Sequence, residues 1–212
     1  MMERKRHLIF GCIWLLCFAI FTLLVKTVDV QSIGAEGSLV GFATGNRWVK
    51  DVIGVHLWWY HVTDWLGLLS VGVGLGFAAL GAVQLFRRRS LWQVDRDILW
   101  LGVLYLVMGA CYLLFERFPV NYRPVILDGS LESSYPSSHT LLTICVMATA
   151  IFQGKKRLQG KLRRWAVGFC IGVLVVTVVG RVIAGVHWVT DILGAILLGM
   201  SLVELYRAAA GE

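Results

Sequence analysis

Arg181, His187 and Asp191 fall within one stretch, Gly180–Asp191, between two long apolar runs. Ionisable groups at the edge of a membrane span are costly to bury and are functional candidates by default. A helix starting near His187 would put His187 and Asp191 four residues apart on one face. There the carboxylate can orient the imidazole and stabilise its positive charge. Arg181 adds a planar donor fork suited to phosphate or carboxylate. One stretch thus offers a nucleophile or base, its orienting group and an anion clamp.

Two upstream segments can complete such a site. Tyr135-Pro136-Ser137-Ser138-His139 has the composition of a helix start. The first turn of a helix leaves backbone N–H groups unpaired, and with the helix dipole they attract an anion. Ser137 and Ser138 add hydroxyl donors, and His139 falls in the same turn. Taken alone, this reads first as an ordinary helix cap with an interfacial histidine. Alongside two arginines and a His-x3-Asp, the anion site is the stronger reading. The third segment is Glu116–Pro124, with Arg117 and Arg123. Both histidines are expected at a wet rim rather than in a packed core.

The elements that must position these groups are membrane spans. The chain has 212 residues, 58% of them hydrophobic and 16% charged, with a mean hydropathy of +0.73. Its apolar runs reach roughly 18 residues or more, enough to cross a bilayer as helix. They do not alternate as barrel strands do. The expected fold class is therefore all-α: a polytopic integral membrane protein forming one domain over residues 1–212. Its six transmembrane helices are expected near 8–25, 64–86, 98–115, 137–152, 165–179 and 189–206. A cleaved signal peptide competes for the first run, but no small-x-small site closes it. The segment 26–55 reads as an external loop with a short surface helix near Trp48–Val55.

His56–Trp65 reads as an interfacial aromatic belt in which His56, His61 and Asp64 are polar anchors; a metal set is the alternative. Gly72-Val-Gly-Leu-Gly76 lies inside an apolar run without a preceding strand. It predicts close helix packing rather than a nucleotide loop. The five cysteines all fall in apolar runs, which argues for buried thiols rather than disulfides or metal ligands. The net charge of +7 does not point to nucleic acid. Arg4–Arg6, Arg87–Arg89 and Lys155–Arg164 are short basic loops of the kind that orient a membrane protein. With six spans they share the cytoplasmic face with both termini. Glu116–Pro136 and Gly180–Thr190 then share the extracytoplasmic one.

Arg123-Pro124, Pro136-Ser-x-His139 and Arg181-x5-His187-x3-Asp191 resemble the three signature motifs of the type 2 phosphatidic acid phosphatase (PAP2) superfamily. The resemblance covers the whole chain in span number, motif order and loop placement. It implies a PAP2-like helical bundle acting on lipid phosphates in the cell membrane, with no cofactor and no metal. It implies His187 as nucleophile, Asp191 as its orienting group and His139 as acid, then base. Arg123, Arg181, Ser137 and the Ser138 N–H would hold the phosphoryl oxygens. The chain departs from the pattern at three positions. Glu116 stands where the first motif usually has lysine, with Arg117 next to it as a substitute. Ser138 stands for a usual glycine, and Gly180 for a usual serine.

Three functions follow from different classes. The first is a phosphatase for undecaprenyl diphosphate, phosphatidylglycerophosphate or phosphatidate, working through a phosphohistidine. The second is a degenerate relative that binds lipid phosphate without turnover, suggested by Glu116 and Ser138. The third is a transporter or channel, which the absence of an internal repeat and of midplane charges disfavours.

Overall fold

A computed structural model describes residues 2–127 and 129–211. Positions 1, 128 and 212 lie outside the described residues: the two ends of the expected domain and one position of the Glu116–Pro136 segment. The chain forms seven α-helices among the described residues. They are α1 (Met2–Thr27), α2 (Ala43–Ile53), α3 (Leu57–Arg88), α4 (Arg96–Arg117), α5 (Ser138–Arg157), α6 (Gly160–Ala184) and α7 (Val189–Ala210). All but α2 are at least 20 residues long, or roughly 30 Å at 1.5 Å per residue.

Five of the long helices are apolar enough to cross a bilayer. The exception is α5, where a span was expected at 137–152. It packs against α3, α4, α6 and α7. Thr140, Thr143, Thr149 and Gln153 are all buried there. A helix enclosed by protein need not present an apolar face to lipid, which explains its weaker hydropathy.

The second span is longer than expected. Nothing between Leu57 and Asp64 breaks a helix, so the aromatic group forms the opening turns of α3, with Trp58 and Trp65 exposed. His56, His61 and Asp64 do not converge. The His56 ring lies 2.8 Å from the Ile53 carbonyl and His61 packs edgewise on Tyr60, while Asp64 turns inward. Gly72 and Gly76 have open space beside them and Gly74 makes only ordinary contact with Tyr105. The close approach expected there occurs at Gly67 instead. The cysteines are unpaired, as expected, but Cys12 and Cys17 are exposed on α1 rather than buried.

Between α1 and α3, Gln31–Ser32 pairs antiparallel with Leu39–Val40 before α2 begins. Helix α2 starts earlier than the surface helix expected at Trp48–Val55. The buried Asn46 anchors it, donating to the Gly41 carbonyl (2.8 Å) and the Thr190 hydroxyl (3.0 Å).

The two ends of the bundle differ. At one end Asp97, on α4, accepts from Gln153, Lys156 and Arg157 on α5, and Arg88 pairs with Asp95. There His7 meets Glu204 at 2.6 Å. The other end gathers α2, the start of α3 and the loops before α5 and α7. Tyr135 locks that end. Its ring stacks on Phe18, its hydroxyl pairs with Thr22 at 2.7 Å, and a side chain at Gly194 would collide with it. The chain is thereby fixed just ahead of Pro136.

Candidate active site

Helix α6 ends at Gly185, which takes the left-handed conformation (φ 67°) and turns the chain toward α7. Helix α7 starts only at Val189, capped by Trp188. The Trp188 ring is buried and donates to the Tyr122 carbonyl at 2.8 Å. His187 therefore lies in the α6–α7 turn, not on a helical face with Asp191. Asp191 is drawn into capping: its Oδ2 accepts the Trp188 N–H at 2.9 Å, and its Oδ1 accepts from Asn121 Nδ2 at 3.0 Å. His187 Nδ1 is 3.7 Å from Oδ2. That distance is electrostatic contact rather than a hydrogen bond.

The start of α5 brings the second segment alongside. Ser137 is fully buried, with its N–H on the Asp191 carbonyl at 3.1 Å and its hydroxyl 3.0 Å from Thr140. Its N–H is thus spent on joining α5 to α7, and its hydroxyl pairs within the first turn of α5. Ser138 opens α5 without a left-handed φ, so serine in place of glycine introduces no backbone strain. Ser138 and His139 line a cavity of about 540 Å³ together with Arg123, Glu132 and His187. Met108, Gly109, Tyr112 and Phe115 of α4 form its apolar wall.

Arg123 is 2.9 Å through Nε from Glu132 Oε2, and its backbone N–H donates to the Glu132 carbonyl at 3.0 Å. Arg181 is fully buried. Its Nη2 donates to Asp64 Oδ1 at 3.1 Å and its guanidinium lies 5.3 Å from the Tyr60 ring centre. The same Asp64 oxygen is 3.2 Å from His139 Nε2. Arg117 does not reach the cavity: it lies over the Phe118 ring, while Glu116 is at the cavity wall. Both are on α4, so they point about 100° apart, and the helix does not bend to exchange them.

The wet rim expected for both histidines applies only to His139, whose side chain is 30% exposed. His187 is 7% exposed. Arg123 Nη1, Arg181 Nε and Nη1, His139 Nδ1 and both His187 ring nitrogens are buried without a hydrogen-bond partner among the described residues. Each such group costs about 1–3 kcal/mol. Arg123, His139 and His187 line the cavity and Arg181 reaches His139 through Asp64, so these unpaired donors set the place apart from an ordinary packing core.

Burial holds the His187 pKa well below the ordinary histidine value, and Arg181 and Arg123 push it the same way. His187 is therefore held neutral at ordinary pH. The unfolded imidazole titrates near 6.5, so stability is complete above that pH and falls as pH drops below it, by up to about 1.4 kcal/mol per unit. His187→Asn, which cannot titrate, is expected to lose less stability than the wild type between about pH 6.5 and 5. Unfolding in detergent over that range checks this; identical slopes would mean that His187 is not held neutral.

Three residues of the site carried little signal in the sequence. Asp64 was visible as an acid at a span edge, but neighbouring aromatics made it look like a headgroup anchor. Asn121 and Glu132 are isolated polar residues in a long loop, and only the folded loop brings them to Asp191 and Arg123.

A profile of the PAP2 superfamily matches residues 70–210. That stretch contains all the candidate residues from Arg117 to Asp191 and starts after Asp64. Phosphatidylglycerophosphatase B of Bacillus subtilis (strain 168) is 27% identical over 196 residues, covering 91% of this chain and 90% of the relative. The crystal structure of a transmembrane PAP2 type phosphatidylglycerolphosphate phosphatase from Bacillus subtilis superposes with a TM-score of 0.63 at 22% identity. The match covers 93% of this chain and 94% of that one. At that identity the superposition speaks for the fold.

Proposed function

Because this chain belongs to the PAP2 superfamily, a family of phosphatases, we propose that it hydrolyses a lipid phosphate or diphosphate, without metal, at the extracytoplasmic membrane face. The observation that carries this reading is the set of unpartnered buried donors of Arg123, Arg181, His139 and His187 beside one cavity. Phosphoryl transfer asks little of a protein beyond such positioned positive charge and a nucleophile.

His187 Nδ1 faces Asp191, which leaves Nε2 to attack phosphorus. The P–N bond forms as the ester P–O bond breaks, and His139 gives a proton to the departing oxygen. His139 then takes a proton from water. The water oxygen bonds phosphorus, the P–N electrons return to His187, and phosphate leaves. Splitting the transfer in this way replaces one hard step with two easier ones. The guanidinium groups and the Ser138 N–H hold the equatorial oxygens.

The apolar α4 wall suits an acyl or prenyl chain arriving sideways through the bilayer. Of phosphatidylglycerophosphate, undecaprenyl diphosphate and phosphatidate, the resemblance to phosphatidylglycerophosphatase B favours the first. The positive-inside rule supports the orientation: Arg4–Arg6, Arg87–Arg89 and Lys155–Arg164 lie at the helix ends remote from the cavity, hence in the cytoplasm with both termini. The test is phosphate release from all three lipids in EDTA. Release by the wild type and none by His187→Ala supports the reading. No release by folded protein rejects it.

A second reading, binding without turnover, draws on Glu116 and Glu132, two carboxylates on the cavity wall. Under the phosphatase reading Glu116 only weakens phosphate attraction. Glu116→Lys is then expected to lower KM several-fold, about 1 kcal/mol for reversing a partly exposed charge. An unchanged KM would show that Glu116 does not sense the phosphate.

A further inference from the structure

Two small residues let α3 close on the site. A Cβ at Gly67 would sit 2.6 Å from His139 Cδ2. A Cβ at Gly180 would sit 2.7 Å from the Thr63 methyl and 3.0 Å from the Trp59 ring. Gly180 is the position at which the third motif departs from serine. Here α3 occupies the space that a side chain there would need. The consequence of this approach is Asp64, whose Oδ1 stands 3.2 Å from His139 Nε2 and 3.1 Å from Arg181 Nη2.

We infer that Asp64 is a positioning residue for His139, so that the site carries two histidine–carboxylate pairs, one for the nucleophile and one for the acid–base group. This rests on the reading of His139 as the group that protonates the leaving oxygen. A carboxylate on one ring nitrogen fixes the ring's orientation and stabilises the imidazolium, while the other nitrogen exchanges protons with the reactant. With Nε2 in ion-pair contact with Asp64, that other nitrogen is Nδ1, which is buried and unpartnered among the described residues. The His187 pair has the opposite sense: Nδ1 faces its carboxylate and Nε2 is free to react. Asp64 also fixes Arg181, and the two roles are separable because only the first concerns the leaving group.

The test compares kcat/KM for an alkyl ester, phosphatidylglycerophosphate, with that for an aryl ester, 4-nitrophenyl phosphate. The nitrophenolate departs without needing a proton, and kcat/KM reports the step that forms the P–N bond. Asp64→Asn can still accept from Arg181 but cannot charge-stabilise His139. It is expected to lose on the order of 10²-fold on the alkyl ester and less than about fivefold on the aryl ester, as is His139→Ala to a greater degree. Asp64→Glu should restore part of the alkyl activity. Equal losses on both esters for Asp64→Asn, with His139→Ala selective, would overturn the inference and leave Asp64 as a support for Arg181 or the fold. Undiminished activity would overturn it too. Equal losses for His139→Ala would remove the acid itself and the inference with it. Turnover of neither ester by the wild type would instead reject the proposed function. Thermal unfolding of each variant separates misfolding from these outcomes.

Discussion

His187→Ala is expected to lower kcat/KM by about 10⁴-fold or more, the scale at which loss of an attacking group leaves only binding and charge stabilisation. The fold should survive. Neither ring nitrogen of His187 holds a hydrogen bond among the described residues, so alanine leaves no partner stranded. Asp191 keeps the Trp188 N–H and Asn121, and α7 keeps its cap. Activity and stability thus separate at this position. Kinetics with phosphatidylglycerophosphate, read beside thermal unfolding, check both. Residual turnover within about tenfold of the wild type would remove His187 from the reaction.

Arg181→Ala is expected to cost about 10²–10³-fold in kcat/KM, the usual effect of removing one aimed donor from a site of developing charge. Its guanidinium is fully buried, and Nε and Nη1 have no other partner among the described residues. Arg181→Lys keeps a charge but loses the planar fork, so it should fall between alanine and the wild type. Inhibition by inorganic phosphate should weaken in the same order. Unlike His187, this substitution should also destabilise, because Asp64 loses its guanidinium partner. Activity within about fivefold of the wild type would mean that Arg123 alone holds the phosphoryl group.

The helical bundle and the meeting of its three motifs were legible because both rest on periodic or local signals. Apolar length gives the long helices. The span expected at 137–152 falls on α5, which neighbouring helices enclose and which is not among the five helices apolar enough to cross a bilayer. The local geometry of Gly180–Asp191 was less legible. A helix from His187 is a fair reading of spacing, but Gly185 and the buried Trp188 delay the start of α7. That delay turns Asp191 into a cap as well as a partner for His187. Arg117 failed as a substitute for lysine because α4 stays helical through it. Asp64 was hidden for a different reason. Its role depends on how close α3 comes, and that depends on what is missing at Gly67 and Gly180, far apart in the chain.

The reaction proposed for this site runs through covalent transfer of the phosphoryl group to His187. The most direct test is to mix purified protein, in EDTA, with phosphatidylglycerophosphate radiolabelled in its terminal phosphate, then quench at successive short times. Label bound to the wild-type protein, stable to alkali, labile to acid and absent from His187→Ala, together with free phosphate, is the predicted result. Phosphate released by the wild type with no bound label at any time, or release undiminished in His187→Ala, would contradict it.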